Sequence, residues 1–383
     1  PRFVPATCLP GTAFIHVRPP PLVGRTHEIA RLRQAMRDAV EHGGVQAILL
    51  EGEEGVGKSR LAEWALAECE RTGQLEGVAA RFTREGGSPS RGLRGIVTRL
   101  FAPAVLHPGA GVRDTVRWLR ELGVGHSLDE DALVRWLSMS HQEDPLDAHT
   151  SAALAAAALG AYARARPLCV WLDDALWAGD GAFELAQGLV ASGQGPVVLL
   201  VTCNVAALAE PRGRARHAAL VAQPGWSRVS LAPLDRAGRA ALLRLAAPVS
   251  RALADEVAAA ADTTPLVLVQ LLSDWLDRRL LTPSPDGLVA SGGLASLFDA
   301  QTPTDVFRHR ALGLLAAVRE AAPILYAAAL LGPWCTARAL HLVGAAMGLE
   351  REAVDLVLEE AVVRGVLRGE SGDSYRLEHQ VFR

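Results

Sequence analysis

The stretch Val45-Gln-Ala-Ile-Leu-Leu-Glu-Gly-Glu-Glu-Gly-Val-Gly-Lys-Ser59 decides the fold of this chain. Its apolar first part predicts a buried strand over Val45–Leu50, and the residues after the last glycine predict a helix over Lys58–Cys69. Between them, Gly52–Ser59 matches the pattern G-x-x-x-x-G-K-[ST], whose glycines let backbone N–H groups surround phosphate oxygens. The stretch therefore predicts a phosphate-binding loop between a strand and a helix.

The lysine of this loop is the only lysine in the chain, although the sequence holds 39 basic residues. A compact ammonium on a flexible stem reaches between phosphate groups, where a planar guanidinium fits poorly. We expect Lys58 to neutralise the terminal phosphates, Ser59 to ligate Mg²⁺, and the helix N-terminus to add partial positive charge. The residues predicted to contact a nucleotide through this loop are Gly52, Glu53, Glu54, Gly55, Val56, Gly57, Lys58, Ser59 and Arg60.

The same lysine count indicates which nucleotide binds. A guanine-reading N-K-x-D motif requires a lysine outside the phosphate loop, and the sequence contains none. We therefore predict ATP or ADP, with Mg²⁺, as the ligands. The sequence also lacks an H-E-x-x-H motif, a metal-spaced set of Cys and His residues, and a G-x-S-x-G elbow, which argues against those hydrolase classes.

A pair of acidic residues ends a second apolar segment, Val170-Trp-Leu-Asp-Asp174. A strand over Leu168–Asp173 places a carboxylate at the carboxyl edge of a parallel sheet, beside the phosphate loop. We expect Asp173 to hold Mg²⁺ through water, and Asp174 to orient or deprotonate the attacking water. Apolar strands often end in Asp, so this motif indicates a functional site only because it follows a phosphate loop. Lys58 and Asp174 are the predicted catalytic residues.

Further apolar segments separated by helical patterns predict an α/β fold, with a parallel sheet covered on both faces. These strands are Gly77–Phe82, Val197–Cys203 and Arg228–Leu231. From Asp235 to about Leu281 the pattern is helical. Thr282–Pro303 is predicted to be rich in loops, with a turn at Ser284–Gly287.

The C-terminal part predicts three helices and a β-hairpin, which are the parts of a winged helix. The helices are predicted over Leu312–Leu331, Ala337–Met347 and Glu350–Val363, and the hairpin strands over Val366–Arg368 and Ser374–Leu377. The predicted organisation is a linker over 1–20, a P-loop nucleotide-binding domain over 21–233, a helical domain over 234–305 and a winged-helix domain over 306–383.

Composition bounds the class of protein. A chain of 383 residues that is 50% hydrophobic can bury the cores of two or three domains. Its net charge of −3 gives no global attraction to nucleic acid or anionic lipid. Dispersed cysteines predict buried thiols in a reducing cytoplasm, and no apolar run is long enough to span a membrane. A Pro-rich start without Met, and an end just after a predicted strand, indicate a piece of a longer protein.

Several further segments, in this order and spacing, resemble the signal-transduction ATPases with numerous domains (STAND ATPases). The likeness is strongest to bacterial AAA-type modules that occur beside protein kinases, adenylate cyclases, helix-turn-helix regulators and tetratricopeptide arrays. It runs from about Leu22 to Arg383. The segments are Leu22-Val-Gly-Arg25 with Glu28, Trp177-Ala178, Leu231-Ala-Pro-Leu234, Thr264-Pro-Leu266, Leu331-Gly332, Arg364-Gly-Val-Leu367 and Tyr375-Arg-Leu-Glu-His379.

This resemblance implies a P-loop parallel sheet of order 5-1-4-3-2, followed by an α-helical domain and a winged helix. It implies that the backbone at Val23, Gly24 and Arg25 lies against the adenine, that the Pro265 helix faces the nucleotide, and that His379 touches the ADP β-phosphate. It also implies a switch. ADP holds the domains closed, whereas ATP favours an open state that forms a homo-oligomer and releases fused sensor and output domains.

Three positions depart from the pattern of these modules. Asn204 stands where a sensor arginine usually follows the fourth strand, Thr263 replaces the glycine of Gly-x-Pro, and Gly179 replaces an Asp after Trp-Ala. Without the arginine, a contact to the γ-phosphate is lost, so we expect weak ATP hydrolysis. Asn204 is still predicted to contact the nucleotide. Nucleotide binding is expected to depend on Lys58 and its loop.

Two other functions use similar parts. Origin-binding AAA ATPases also join a P-loop domain to a winged helix, but the helix Glu350–Val363 carries five acidic residues against one arginine, which argues against a nucleic-acid partner. A small-molecule kinase also uses a phosphate loop, but the long helical additions argue against it. Arg212, Arg214 and Arg216 form either an arginine finger acting on a neighbouring subunit or an ordinary solvated face.

Overall fold

The computed structural model describes most of the chain from Leu22 to Leu377. The described residues are 22–82, 93, 95–97, 100, 112–125, 130–138, 146–176, 180–297, 303–331, 334–369 and 374–377. Contacts divide the chain into two units, one over Gly24–Pro233 and the other formed by the residues before Gly24 and from Leu234 onward.

The first unit alternates strands and helices. Its elements are α1 (Thr26–His42), β1 (Val45–Gly52), α2 (Lys58–Thr72), β2 (Glu76–Arg81), α3 (Val112–Glu121), α4 (Glu130–Ser138), α5 (Ala148–Ala163), β3 (Leu168–Asp173), α6 (Asp180–Ser192), β4 (Val197–Asn204), a 3₁₀ turn (Val205–Ala209), α7 (Pro211–Ala222) and β5 (Trp226–Ser230).

The five strands form one parallel sheet in the order β2-β3-β4-β1-β5. Read from the opposite edge, this is the predicted order 5-1-4-3-2, so the predicted P-loop α/β fold is confirmed. Every residue of β3 is buried, as are the first seven of β4. Such continuous apolar strands form because helices cover both faces of the sheet.

The strand order positions the site. β4 lies between β1 and β3, so the carboxyl ends of these three strands meet at one edge of the sheet. In the register, Gly52 is the partner of Asn204, and Leu172 is the partner of Val201. The phosphate loop after β1 and the acidic end of β3 are therefore separated by a single strand.

The second unit is mostly helical. Its elements are α8 (Arg236–Ala246), α9 (Arg251–Ala260), α10 (Pro265–Asp277), β6 (Leu281–Ser284), β7 (Gly287–Ala290), a 3₁₀ turn (Leu294–Leu297), α11 (Pro303–Ala317), α12 (Ala321–Leu331), β8 (Trp334–Thr336), α13 (Ala337–Ala346), α14 (Arg351–Val363), β9 (Leu367–Gly369) and β10 (Ser374–Leu377).

Two apolar clusters stabilise this unit. One packs α8, α9 and α10 around Trp275, whose indole Nε1 donates to the Leu297 carbonyl at 2.6 Å. The other joins α12, α13, α14 and the end of α11 to an antiparallel sheet of order β8-β10-β9. The α-helical C-terminal region expected from the sequence is confirmed, whereas the predicted domain boundaries stay predictions.

The structure corrects two details of the sequence prediction. The single helix predicted over Leu312–Leu331 is two helices, α11 and α12, because Pro323 can occupy a first turn but would clash with the preceding carbonyls inside a continuous helix. The segment predicted as loops after Leu281 contains the β6–β7 hairpin. Its Pro-Asp-Gly turn lies where the turn was predicted, but the short strands beside it had no clear alternation.

A charged cluster links α1 to α2 and provides a test of the fold. The Glu68 carboxylate is nearly buried and accepts hydrogen bonds from Arg71 at 2.7 Å and Arg33 at 3.1 Å. The hydrogen bond from Arg71, with that from Arg33, outweighs the opposing effect of burial and lowers the pKa of Glu68 from 4.5 to about 2. Its contribution to stability is therefore complete above about pH 4.5 and is lost as the pH falls toward 2.

We predict that Glu68→Gln lowers the free energy of unfolding at pH 7 by about 1 kcal/mol, a modest figure because both arginines are partly exposed. Urea unfolding followed by circular dichroism should show this difference shrinking below about pH 4.5. Glu63→Gln, which removes an exposed i,i+3 pair with Arg60, is the matched control. A Glu68→Gln effect that does not change with pH would contradict the assignment.

Candidate functional site

The loop after β1 follows a path that requires its glycines. A Cβ atom added at Gly52 would lie 2.8 Å from the Leu231 carbonyl oxygen and 2.9 Å from Val56 Cγ2. Gly55 and Gly57 have φ angles of 80° and 103°, in the region that favours glycine. The glycines of the pattern therefore serve close packing at the start of the loop and a left-handed backbone further on.

Lys58 is the first residue of α2 and is only 6% exposed. Its Nζ donates to the carbonyl oxygens of Gly52 at 3.0 Å and Glu53 at 2.7 Å. Burial lowers the pKa of Lys58, and the nearby charges of Asp174 and Asp173 oppose that shift. The ammonium is thus held inside the loop, where phosphate oxygens would replace backbone carbonyls as its acceptors.

The structure brings the predicted Mg²⁺ ligands together. Ser59 Oγ donates to Asp173 Oδ1 at 3.0 Å, although the two residues are 114 positions apart. A hydroxyl and a carboxylate at the mouth of a phosphate loop are oxygen donors of the type that Mg²⁺ prefers. These residues therefore fit a magnesium ion shared with a bound phosphate group. Among the described residues, no group of three or more His, Cys, Asp or Glu side chains is arranged to hold a metal by itself.

Asp174 follows β3 with φ of 54°, a left-handed conformation that Asp tolerates better than most residues. Its backbone N–H donates to Thr202 Oγ1 at 2.8 Å. The same hydroxyl donates to Asp173 Oδ1 at 2.7 Å, and Thr202 is completely buried. The sequence prediction missed Thr202, although a hydroxyl ending the apolar run Val197–Val201 on the strand beside β3 is a usable signal.

Asn204 ends β4, and its side chain is engaged by its own turn. The Oδ1 atom accepts from the backbone N–H of Ala206 at 3.0 Å, so Asn204 caps the 3₁₀ turn after the strand. Arg60, the last residue of the predicted loop set, donates to Glu63 at 3.2 Å.

Arg25 lies just before α1, and its guanidinium is directed into the first unit, with only 6% of the residue exposed. One nitrogen donates to the carbonyl oxygens of Val56 at 2.9 Å and Ala232 at 2.7 Å, and another pairs with Glu28. The side chain therefore buttresses the phosphate loop. The predicted adenine contact of the backbone at Val23, Gly24 and Arg25 stays a prediction.

A buried carboxylate at the base of the loop was not predicted. Glu51 precedes Gly52, and its carboxylate accepts from Arg228 at 2.7 Å and contacts His217. Burial alone would raise the pKa of Glu51, but the hydrogen bonds from Arg228 and His217 outweigh it and lower the pKa. The anionic Glu51 thus anchors α7 and β5 beside the loop.

The remaining predicted residues belong to the second unit, to α7, or to segments outside the described residues. Pro265 is the first residue of α10 in the second unit, and its predicted nucleotide contact stays a prediction. Trp177, Ala178, Gly179 and His379 lie outside the described residues. Arg216 is only partly exposed and donates to the Leu176 carbonyl at 3.1 Å and to Asp180, which argues against its acting on a neighbouring subunit.

A family model described as an AAA ATPase domain matches residues 21–201. That match covers the phosphate loop, the acidic strand end and most of β4. This match supports an AAA-type P-loop ATPase domain over residues 21–201. Nucleotide binding is the common property of such domains. No curated protein matches the chain. In the described residues, no helix is long and apolar enough to cross a membrane.

Three solved structures illustrate what this chain is similar to. The Aeropyrum pernix ORC2 protein is 14% identical with a TM-score of 0.49, covering 96% of this chain and 93% of that one. A Signal Transduction ATPase with Numerous Domains with a tetratricopeptide repeat sensor, from Pyrococcus horikoshii, is 14% identical with a TM-score of 0.44, covering 96% and 43%. Thermotoga maritima RuvB is 14% identical with a TM-score of 0.39, covering 96% and 97%. These likenesses do not distinguish a signalling ATPase from an origin-binding one.

The packing at Gly52 generates a direct prediction. We expect Gly52→Ala to weaken nucleotide binding by about tenfold or more, because the added Cβ displaces the loop from Val56 and Leu231. Fluorescence titration with a labelled ADP measures this. Gly369→Ala, where a Cβ meets nothing within 4 Å, is the control and should bind like the wild type. Equal affinity of Gly52→Ala and the wild type would refute a phosphate-binding role for this loop.

Proposed function

We propose that this chain is an ATP- and ADP-binding regulatory switch module of the STAND type, with slow ATP hydrolysis coupled to opening and self-association. The observation that carries the proposal is the phosphate loop, with Lys58 held inside it and Ser59 hydrogen-bonded to Asp173. Slow hydrolysis is inferred from Asn204, which caps its own turn instead of presenting a cationic side chain. A site that binds phosphates through Lys58 but lacks an arginine at this position is suited to retaining a nucleotide. It is poorly suited to rapid turnover.

Each residue of the site has a separate role in the proposed reaction. The loop amides and Lys58 hold the phosphates, and Ser59 and Asp173 hold Mg²⁺, which when bound neutralises phosphate charge. Asp174 accepts a hydrogen bond from the attacking water, or its proton, at the edge of the sheet. The backbone N–H of Asp174 is hydrogen-bonded to Thr202, so the backbone that carries the carboxyl group is held in place.

The attached second unit supports a regulatory role. We propose that α12, α13, α14 and the β8-β10-β9 sheet form a winged helix, since these helices and the small antiparallel sheet pack in one apolar cluster, to which α11 adds Leu314. The last of these helices exposes Glu352 and Glu359, while Asp355 pairs with His341 at 2.7 Å. An acidic helix of this kind repels a nucleic-acid backbone, which favours a protein-directed switch over an origin-binding ATPase.

The switch requires a difference in affinity between two states. A nucleotide shifts a conformational equilibrium only by the ratio of its affinities for the two conformations. We propose that ADP favours the closed state and ATP the open one, in the cytoplasm, with homo-oligomer formation and fused sensor and output domains as the consequences. Val23, Gly24, Arg25, Pro265 and His379 are the proposed additional nucleotide contacts.

The test compares the mass of the particle with different nucleotides. With Mg²⁺ and ADP, we expect light scattering after size-exclusion chromatography to give a monomer, and a larger species with a non-hydrolysable ATP analogue. Lys58→Ala should have one mass in both, because it loses the counter-charge that holds the phosphates. Lys58→Arg keeps the charge and should also fail, since a guanidinium fits the loop poorly.

A wild-type chain that binds both nucleotides yet has the same mass with each would contradict the switch. Turnover that rises on addition of duplex DNA would instead favour the origin-binding class. Both measurements use the same protein preparation. The only difference between the two turnover assays is the addition of duplex DNA.

A second prediction concerns Asp174. We expect Asp174→Asn to lower ATP turnover by about 100-fold or more, because the amide cannot accept the proton of the attacking water. ADP affinity should stay within about threefold, since Asn tolerates the left-handed backbone at this position. Phosphate release and ADP titration measure the two quantities. Unchanged turnover would remove Asp174 from the proposed chemistry.

A further inference from the structure

We propose that Thr202 is the positioning residue that orients both acidic side chains of the site, Asp173 and Asp174. This inference rests on the proposed binding and hydrolysis of Mg²⁺-ATP. It concerns a residue that neither touches the phosphate loop nor belongs to the motif at the end of β3. One hydroxyl performs two tasks, since it donates to the Asp173 carboxylate and accepts from the Asp174 backbone N–H.

The topology explains why β4 supplies this residue. β4 pairs with β3 on one side and with β1 on the other, so its end lies between the acidic residues and the phosphate loop. Thr202 pairs with Leu50, two residues before Gly52. A short side chain there reaches the carboxylate at 2.7 Å and the amide at 2.8 Å without leaving the core.

The strand conformation does not account for a hydroxyl at position 202. Val197–Val201 is entirely apolar and buried, and valine would suit the β-conformation at 202 as well as threonine does. Burying a hydroxyl costs free energy unless it is hydrogen-bonded, and here both of its bonds go to the acidic pair. The placement of a polar atom at this buried position is therefore explained by what it orients.

Two consequences follow at the acidic pair. Asp173 Oδ1 accepts from Ser59 and from Thr202, so the second bond holds the carboxylate in position when Ser59 turns toward a cation. Asp174 has a left-handed backbone, which is unfavourable for a residue with a side chain, and the bond to Thr202 stabilises it. Loss of the hydroxyl is expected to affect the cation and the attacking water, but not the phosphates held by Lys58.

The experiment uses Thr202→Val, Thr202→Ser and the exposed control Thr72→Val, whose hydroxyl contacts only helix carbonyls. Calorimetric titration with ADP in EDTA should give affinities within about twofold of the wild type for all three. For Thr202→Val, the gain in ADP affinity on adding Mg²⁺ should fall by about 10- to 100-fold, and ATP turnover should fall similarly. Thr202→Ser, which restores the hydroxyl, should recover both within about threefold.

The outcomes separate this inference from the proposed function. If the folded wild type shows neither ADP binding nor a Mg²⁺ effect, the proposed function and this inference both fail. If the wild type binds with Mg²⁺ and Thr202→Val behaves identically, only the role of Thr202 is overturned. Thermal unfolding of each variant identifies loss of structure. If valine is not accommodated, Thr202→Ala tests the same loss of the hydroxyl, and a Ser variant as impaired as Ala would also overturn the proposal.

Discussion

The contact on which the site depends is the hydrogen bond between Ser59 Oγ and Asp173 Oδ1. It joins the first turn of α2, the helix after the phosphate loop, to the end of β3. In the sheet, β3 lies two positions from β1, the strand before that loop. Neither residue defines a site alone, since a serine at a helix start and an acid at a strand end are both common. Their meeting requires the strand order β3-β4-β1, which places the ends of β1 and β3 on either side of β4.

Close to this contact, charged side chains and their partners stabilise the phosphate loop. Glu51 is held by Arg228 and His217, and Arg25 supports the loop through the Val56 carbonyl. Glu51 and Arg25 are buried and each is paired, because an unpaired charge in the interior would be strongly destabilising. The loop therefore sits on a rigid base, which lowers the entropy lost when phosphates bind.

Much of this arrangement could be predicted from the sequence. The glycine pattern, the apolar strands and the acidic pair carry strong local signals, so the sheet order and the grouping of Lys58, Ser59 and Asp173 followed from them together with the family resemblance. The roles of Glu51 and Arg228 could not be predicted, because a single polar residue acquires its partner only through strand register. Thr202 was missed although its hydroxyl ends an apolar strand, which is a usable signal. The break before α12 was missed because the apolar pattern continues on both sides of Pro323, although a proline interrupts the interior of a helix.

The cation site is tested most directly by calorimetric titration of the purified chain with ADP, in Mg²⁺ and in EDTA. We predict one ADP per chain in both conditions, with tighter binding when Mg²⁺ is present, because Ser59 and Asp173 would bind the cation beside the phosphates. A folded chain that binds no ADP, or that binds it equally with and without Mg²⁺, would contradict the claim that these two residues form a cation site at a phosphate loop.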